Sequence, residues 1–230
     1  VAVAGCQVAY FNAVQRMPIG VALLLEYLGV VLVVLWVWVR SRRPPARATL
    51  IGVGLSLAGL VFVLDLAGSV RLDPVGVVWG LLAAVGLAVY FVVSAHGDTG
   101  LPPVALASFG MLAGAVALLG LAALGALPTA TATAPVTLGG VTMPWWLAIG
   151  ELAVIAAATA YLLGAIGARR LGSTVASFVG LTEVLFAVLL AWLLLGELPT
   201  TGQLAGGVLI LAGVGAVRVG ELRAKRLLSE

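Results

Sequence analysis

Hydrophobic residues arrive along this chain in long unbroken blocks, separated by short polar punctuation. Eight apolar runs can be read, at residues 1–15, 18–39, 48–66, 75–95, 103–127, 145–166, 173–194 and 203–219. A helix needs about 20 apolar residues to cross a bilayer, and all but the first run approach that length. In lipid the backbone must satisfy its own hydrogen bonds, so such runs are helices. Alternation of period two is absent, which excludes a β-barrel reading. The pattern predicts an all-α, polytopic membrane helix bundle. The chain opens inside an apolar run with no basic leader ahead of it. No cleavable signal peptide is therefore expected, and the first helix is read as cut short.

The punctuation is informative. Residues Arg40 to Arg47 read RSRRPPAR, a basic turn with two prolines. Residues 128–143 form a Thr/Ala/Pro-rich loop with no charge, and Trp145 and Trp146 mark a membrane interface before the next span. The segments after the second, fourth, sixth and eighth runs hold Arg40, Arg42, Arg43, Arg47, Arg169, Arg170, Arg218, Arg223, Lys225 and Arg226, against only Arg16 and Arg71 on the other side. The positive-inside rule then predicts a multi-pass protein of the inner or plasma membrane with a cytoplasmic C-terminus.

Composition agrees. The chain is 63% hydrophobic and 9% charged, with a mean hydropathy of +1.22. A soluble domain carries about 25% charged residues. Thirty glycines suit close helix approach. One Cys and one His exclude a disulfide framework, and no metal or cofactor is expected. The net charge of +3 comes from residues between spans, so it reflects topology and not nucleic-acid binding.

Sliding the chain on itself by 154 residues aligns 1–66 with 155–220 without a gap, giving 17 identities. Pro45 meets Pro199, Trp38 meets Trp192 and Arg16 meets Arg170. By the charge count the matched helices run in opposite directions, which predicts an inverted repeat with an odd number of helices per unit. The expected units are 1–66 (the end of a first repeat), a linker at 67–74, a complete five-helix second repeat at 75–220, and a basic tail at 221–230. About eight of ten helices are expected here, with the earliest ones preceding Val1. A chain without them is expected not to transport by itself.

The candidate chemistry lies inside the spans. Glu183 is the single charge of its run, and an acidic residue at a helix centre costs roughly 2.5–3.5 kcal/mol to insert. Ala176, Gly180, Glu183, Ala187 and Ala191 share one helical face. On the matched helix, Glu26 stands opposite Gly180 and Gly29 opposite Glu183, so each repeat holds one carboxylate and one glycine a turn apart. The pair can flank a central path, binding an ammonium group or taking up a proton. The alternative is that each Glu pairs with a neighbouring hydroxyl and only fixes helix packing. Trp79, Ala83, Gly86, Tyr90 and Ser94 form a second stripe, in which Tyr90 and Ser94 either line a cavity or bond between helices. Tyr161 and its repeat partner Gln7 suggest a cavity wall. The substrate-binding candidates are thus Glu26, Glu183, Tyr90, Ser94, Tyr161, Gln7, Gly29 and Gly180. Tyr10, Asn12 and Glu151 read as interfacial, His96 as a helix-end cap, and Glu197 as part of an outer turn. No nucleophile triad, zinc spacing or phosphate loop is present.

The stretch from Ala191 to Gly213, AWLLLGELPTTGQLAGGVLILAG, resembles the closing signature of the EamA-type drug/metabolite transporters. The resemblance implies a ten-helix inner-membrane carrier of two inverted five-helix repeats. Arg16 to Gly29, RMPIGVALLLEYLG, is similar to the subgroup that exports threonine and homoserine. There is one departure. The family often has Pro just after the Gly or Glu of this helix, where Val30 and Val184 stand here, so both helices are expected to be straighter. The resemblance implies export of an amino acid or relative by alternating access. Cationic drug efflux or nutrient uptake is the second carrier reading. A packing subunit or intramembrane enzyme is the reading from another class, and enzyme activity is not expected. The expected partners are a small-molecule substrate and the lipid bilayer, with a coupled proton and a homodimer as further candidates.

Overall fold

A computed structural model describes residues 2–65, 73–96, 102–125, 133–138, 141–196 and 198–226. Arg71 and Glu197, weighed above, lie outside these. The apolar runs form helical rods close to the expected bounds. In order they are α1 (Ala2–Val14), α2 and α3 (Ile19–Tyr27, Gly29–Ser41), α4 (Arg47–Val63), α5 (Pro74–Ala95) and α6 (Pro103–Ala123). Then come α7 (Trp145–Glu151), a π-helical segment (Leu152–Thr159), α8 (Ala160–Leu171), α9 and α10 (Ser173–Gly180, Thr182–Leu195) and α11 (Thr201–Arg226). Five of the rods are long and apolar enough to cross a membrane, and three shorter apolar helices accompany them among the described residues. The chain is an all-α multi-pass membrane bundle.

Two details differ from the sequence reading. The uncharged loop before Trp145 contains a short antiparallel hairpin, β1 (Val136–Leu138) with β2 (Val141–Met143), in which Thr137 faces Thr142 at 3.0 Å. The helices expected to be straighter are each interrupted by a single residue. Leu28 (φ −59°, ψ −17°) and Leu181 (φ −61°, ψ −20°) adopt nearly the same backbone angles, one position apart under the 154-residue offset. There the amides reach back three residues: Val31 N to Leu28 O at 2.9 Å, and Val184 N to Leu181 O at 3.3 Å. Gly29 and Gly180 adjoin the two breaks, and glycine weakens a helix without needing proline.

The ends of the bundle group the loops as the charge count sorted them. Arg16 approaches Asp73 at 4.0 Å, which joins the first and third connections at one end. At the other end Arg169 donates to the His96 carbonyl at 3.4 Å. Asp73 also caps α5, accepting from Gly76 N at 3.2 Å, with Pro74 at the first helical position. Gly172, at φ +84°, turns the chain between α8 and α9 in a conformation that other residues resist.

The most extensive helix pairing is α4 with α11, built on glycine. A Cβ added at Gly213 would meet Gly52 O at 2.8 Å, and one added at Gly206 would meet Gly59 O at 2.5 Å. Under the 154-residue offset Gly52 matches Gly206 and Gly59 matches Gly213. The contact 52–213 is therefore repeated as 59–206 with the roles exchanged. Ser56 and its match Ile210 are both fully buried at the centre of this crossing. Small residues allow this approach where lipid supplies no hydrophobic drive. The surrounding core also draws on matched positions, including Val30 with Val184 and Val63 with Val217.

Candidate functional site

Midway along the bundle, α1, α2, α5, α8 and α10 bring their polar side chains together. The Cys6 sulfur lies 3.3 Å from both Glu26 Oε1 and the Ala83 carbonyl, so its single proton can be donated to either. Gln7 Nε2 donates to the Tyr161 hydroxyl at 2.7 Å, and the Tyr90 hydroxyl donates to the Tyr161 carbonyl at 2.8 Å. The Tyr90 and Tyr161 rings meet edge to face, with centroids 5.5 Å apart. Tyr27 and Glu183 line one cavity side by side. Glu26 and Glu183 are near enough for their charges to interact, and Tyr10, Tyr27 and Tyr161 lie within electrostatic reach of both.

Two cavities approach this layer from opposite halves of the bundle. The larger, about 480 Å³, runs from Tyr27 and Glu183 past Ala187 and Ala191 to Leu64, Leu198 and Thr200. Its far side is the end marked by Arg16 and Asp73. The polar groups there are engaged with each other, because Thr200 N donates to Gln203 Oε1 at 2.9 Å and Gln203 N to Thr200 Oγ1 at 3.1 Å. The smaller cavity, about 140 Å³, runs from Tyr161 and Tyr90 to Ser94 and Ala2, toward the end marked by His96 and Arg169.

A model of the EamA-like transporter family matches residues 74–219, more than half of the chain. The chain belongs to the EamA-like transporter family. An uncharacterized transporter from Archaeoglobus fulgidus is 28% identical over 207 residues, which cover 90% of this chain and 69% of that protein. A solved crystal structure is similar in fold, with a TM-score of 0.73 over 94% of this chain and 72% of the other, at 22% identity. The likeness reaches the family and not the threonine and homoserine subgroup. As an EamA-like protein, the chain is a membrane transporter of small substrates.

Within this EamA-like bundle the expected residues divide. Glu26, Glu183, Tyr161 and Gln7 gather in the layer, Tyr90 braces it, and Ser94 lines the smaller cavity. Gly29 and Gly180 line neither cavity. A Cβ at Gly29 would sit 2.6 Å from Ala84 O, and one at Gly180 would sit 3.1 Å from the Phe91 ring. Both are close helix-packing points. Tyr10 is half-buried against the cluster of Cys6, Ala9 and Ala83. Asn12 donates to its own helix at Val8 O.

Two members of the layer were not foreseen. Cys6 had been weighed only as an unpaired cysteine, and nothing local in sequence ties it to Glu26. Tyr27 adjoins Glu26 and is one of four tyrosines, which was the available signal. The π-helical segment also escaped the apolar pattern. It ends two residues before Tyr161, with Thr159 Oγ1 donating five residues back to Val154 O at 2.8 Å, and such segments recur at functional sites.

Proposed function

We propose that this EamA-like protein is a secondary carrier that moves a small metabolite, an amino acid or close relative, across the inner or plasma membrane by alternating access. The observation that carries the reading is the pair of cavities in opposite halves of the bundle, meeting at a layer that holds Glu26 and Glu183. In this reading the two units, 1–66 and 75–220, are inverted repeats joined by 67–74, and they rock about that layer. The basic end, with the 221–230 tail, faces the cytoplasm. Glu183 stands open to the larger cavity and receives the substrate ammonium. Glu26, held by Cys6, takes up the coupling proton. Tyr27 orients the Glu183 carboxylate.

One observation favours a second reading. The described lining of the larger cavity includes Glu183 and no Lys, Arg or His. An organic cation without its own carboxylate fits that lining with less electrostatic penalty than a zwitterion. The test reconstitutes the full-length protein and offers radiolabelled amino acids and cationic dyes to the vesicles, with and without a pH gradient. The expected result is gradient-dependent amino-acid flux that falls at least tenfold in Glu183→Gln. Movement of dyes alone would replace the substrate class. If neither class moves, the carrier reading fails.

A further inference from the structure

Gln7 and Tyr161 stand 154 residues apart, the offset of the repeat itself, and they hydrogen-bond each other at 2.7 Å. A contact between matched positions turns into itself when two inverted repeats exchange conformations. The neighbouring Cys6–Glu26 contact does not. Its counterpart is Ala160 with Gly180, which has neither thiol nor carboxylate.

We propose that the Gln7–Tyr161 bond, braced by Tyr90, is a septum against protons that persists in both access states and stands beside the route by which substrate passes from one cavity to the other. It passes no protons while the surrounding helices move. Three features support this. Tyr161 is held at two points, its hydroxyl by Gln7 and its carbonyl by Tyr90 at 2.8 Å. The smaller cavity is bounded by Tyr90 and Tyr161, and neither carboxylate is among the residues that line it. Gly164 leaves room for Tyr90, because a Cβ there would run into the Tyr90 hydroxyl. Gln7 and Tyr161 thus satisfy each other's polarity and act as barrier residues rather than substrate ligands. The two-state part of this proposal rests on the carrier reading above.

The test needs no substrate. The protein is reconstituted into liposomes loaded with a pH-sensitive dye, and dye response to an external pH step reports passive proton entry. The expected result is a leak at least tenfold above wild type for Tyr161→Ala and for the double variant Gln7→Ala with Tyr161→Phe. Phe109→Ala, on the exposed face of α6, stays at the wild-type level. If Tyr161→Ala does not assemble, the double variant decides, because it keeps the ring. A monodisperse double variant with a wild-type leak overturns the septum. Raised leak with no solute flux in the wild type keeps the septum and removes the carrier. Solute flux with no raised leak does the reverse.

Discussion

The face made by α1, α2 and α3 and the matched face made by α8, α9 and α10 have corresponding sequence positions and opposite surroundings. Over the first lies α5. Its Gly86 presses on Cys6, its Gly80 on Leu25, and its Ala84 carbonyl on Gly29. α5 touches the second at other positions, with Tyr90 at Gly164 and Phe91 at Gly180. Ala160, Val179 and Glu183, the matches of Cys6, Leu25 and Gly29, are all exposed. Cover by α5 decides which side chains the first face tolerates. Where α5 seals the face, the position admits only glycine. On the second face the matched position is open to the larger cavity and holds Glu183.

The largest test of that contrast places the open-face residue on the covered face. Gly29→Glu would push a Cβ against the Ala84 carbonyl and bury a charge without a partner. Overpacking alone costs about 1–3 kcal/mol and burial of the charge adds to it, so the variant is expected to lose its monodisperse peak in detergent. A melting curve like that of the wild type would break the comparison. Next come the matched glycines of the α4–α11 crossing. Gly59→Leu and Gly213→Leu should each destabilise by about 2–3 kcal/mol and agree with each other closely. Gly54→Leu, whose Cβ would meet nothing within 4 Å, should melt like wild type. Clearly unequal costs at 59 and 213 would mean that the crossing is not two-fold in energy. Cys6→Ala removes the donor to Glu26 and should cost about 1 kcal/mol, while Ala160→Cys on the open face should change the melting point little. The smallest stability effect is expected of Glu183→Gly, which installs the covered-face residue on the open face. Its melting should stay within about 0.5 kcal/mol of wild type, as for other exposed substitutions, while flux is lost. A large drop in stability would mean that Glu183 holds the helices together.

The rods were legible because a bilayer demands continuous apolar length, so hydropathy alone placed their ends. The offset marked Gln7 and Tyr161 as matched polar positions, but a repeat does not tell which matched positions touch, so their hydrogen bond was not legible. Other features were hidden for physical reasons. The breaks at Leu28 and Leu181 need only a neighbouring glycine and three-residue hydrogen bonds, and with no proline nothing announced them. The hairpin rests on three-residue strands, too short for an alternation signal. Cys6 meets Glu26 because two helices place them at equal depth, and depth matching between separate spans leaves no local trace. The packing roles of Gly29 and Gly180 were hidden for the same reason, since a small residue beside a carboxylate reads equally well as room for a ligand or as room for a helix.

The crossing of α4 and α11 is, in surface terms, an isologous patch: residue i touches j, and the match of j touches the match of i. Such a surface is self-complementary. A half-length chain ending in α11 would carry both sides of it, and two copies inserted in opposite orientations would set Gly206 of each against Gly213 of the other. The crossing therefore has the form of an antiparallel homodimer contact made within one chain. Because both sides lie in one chain, the two can differ, as Ser56 and Ile210 do at the centre of the contact.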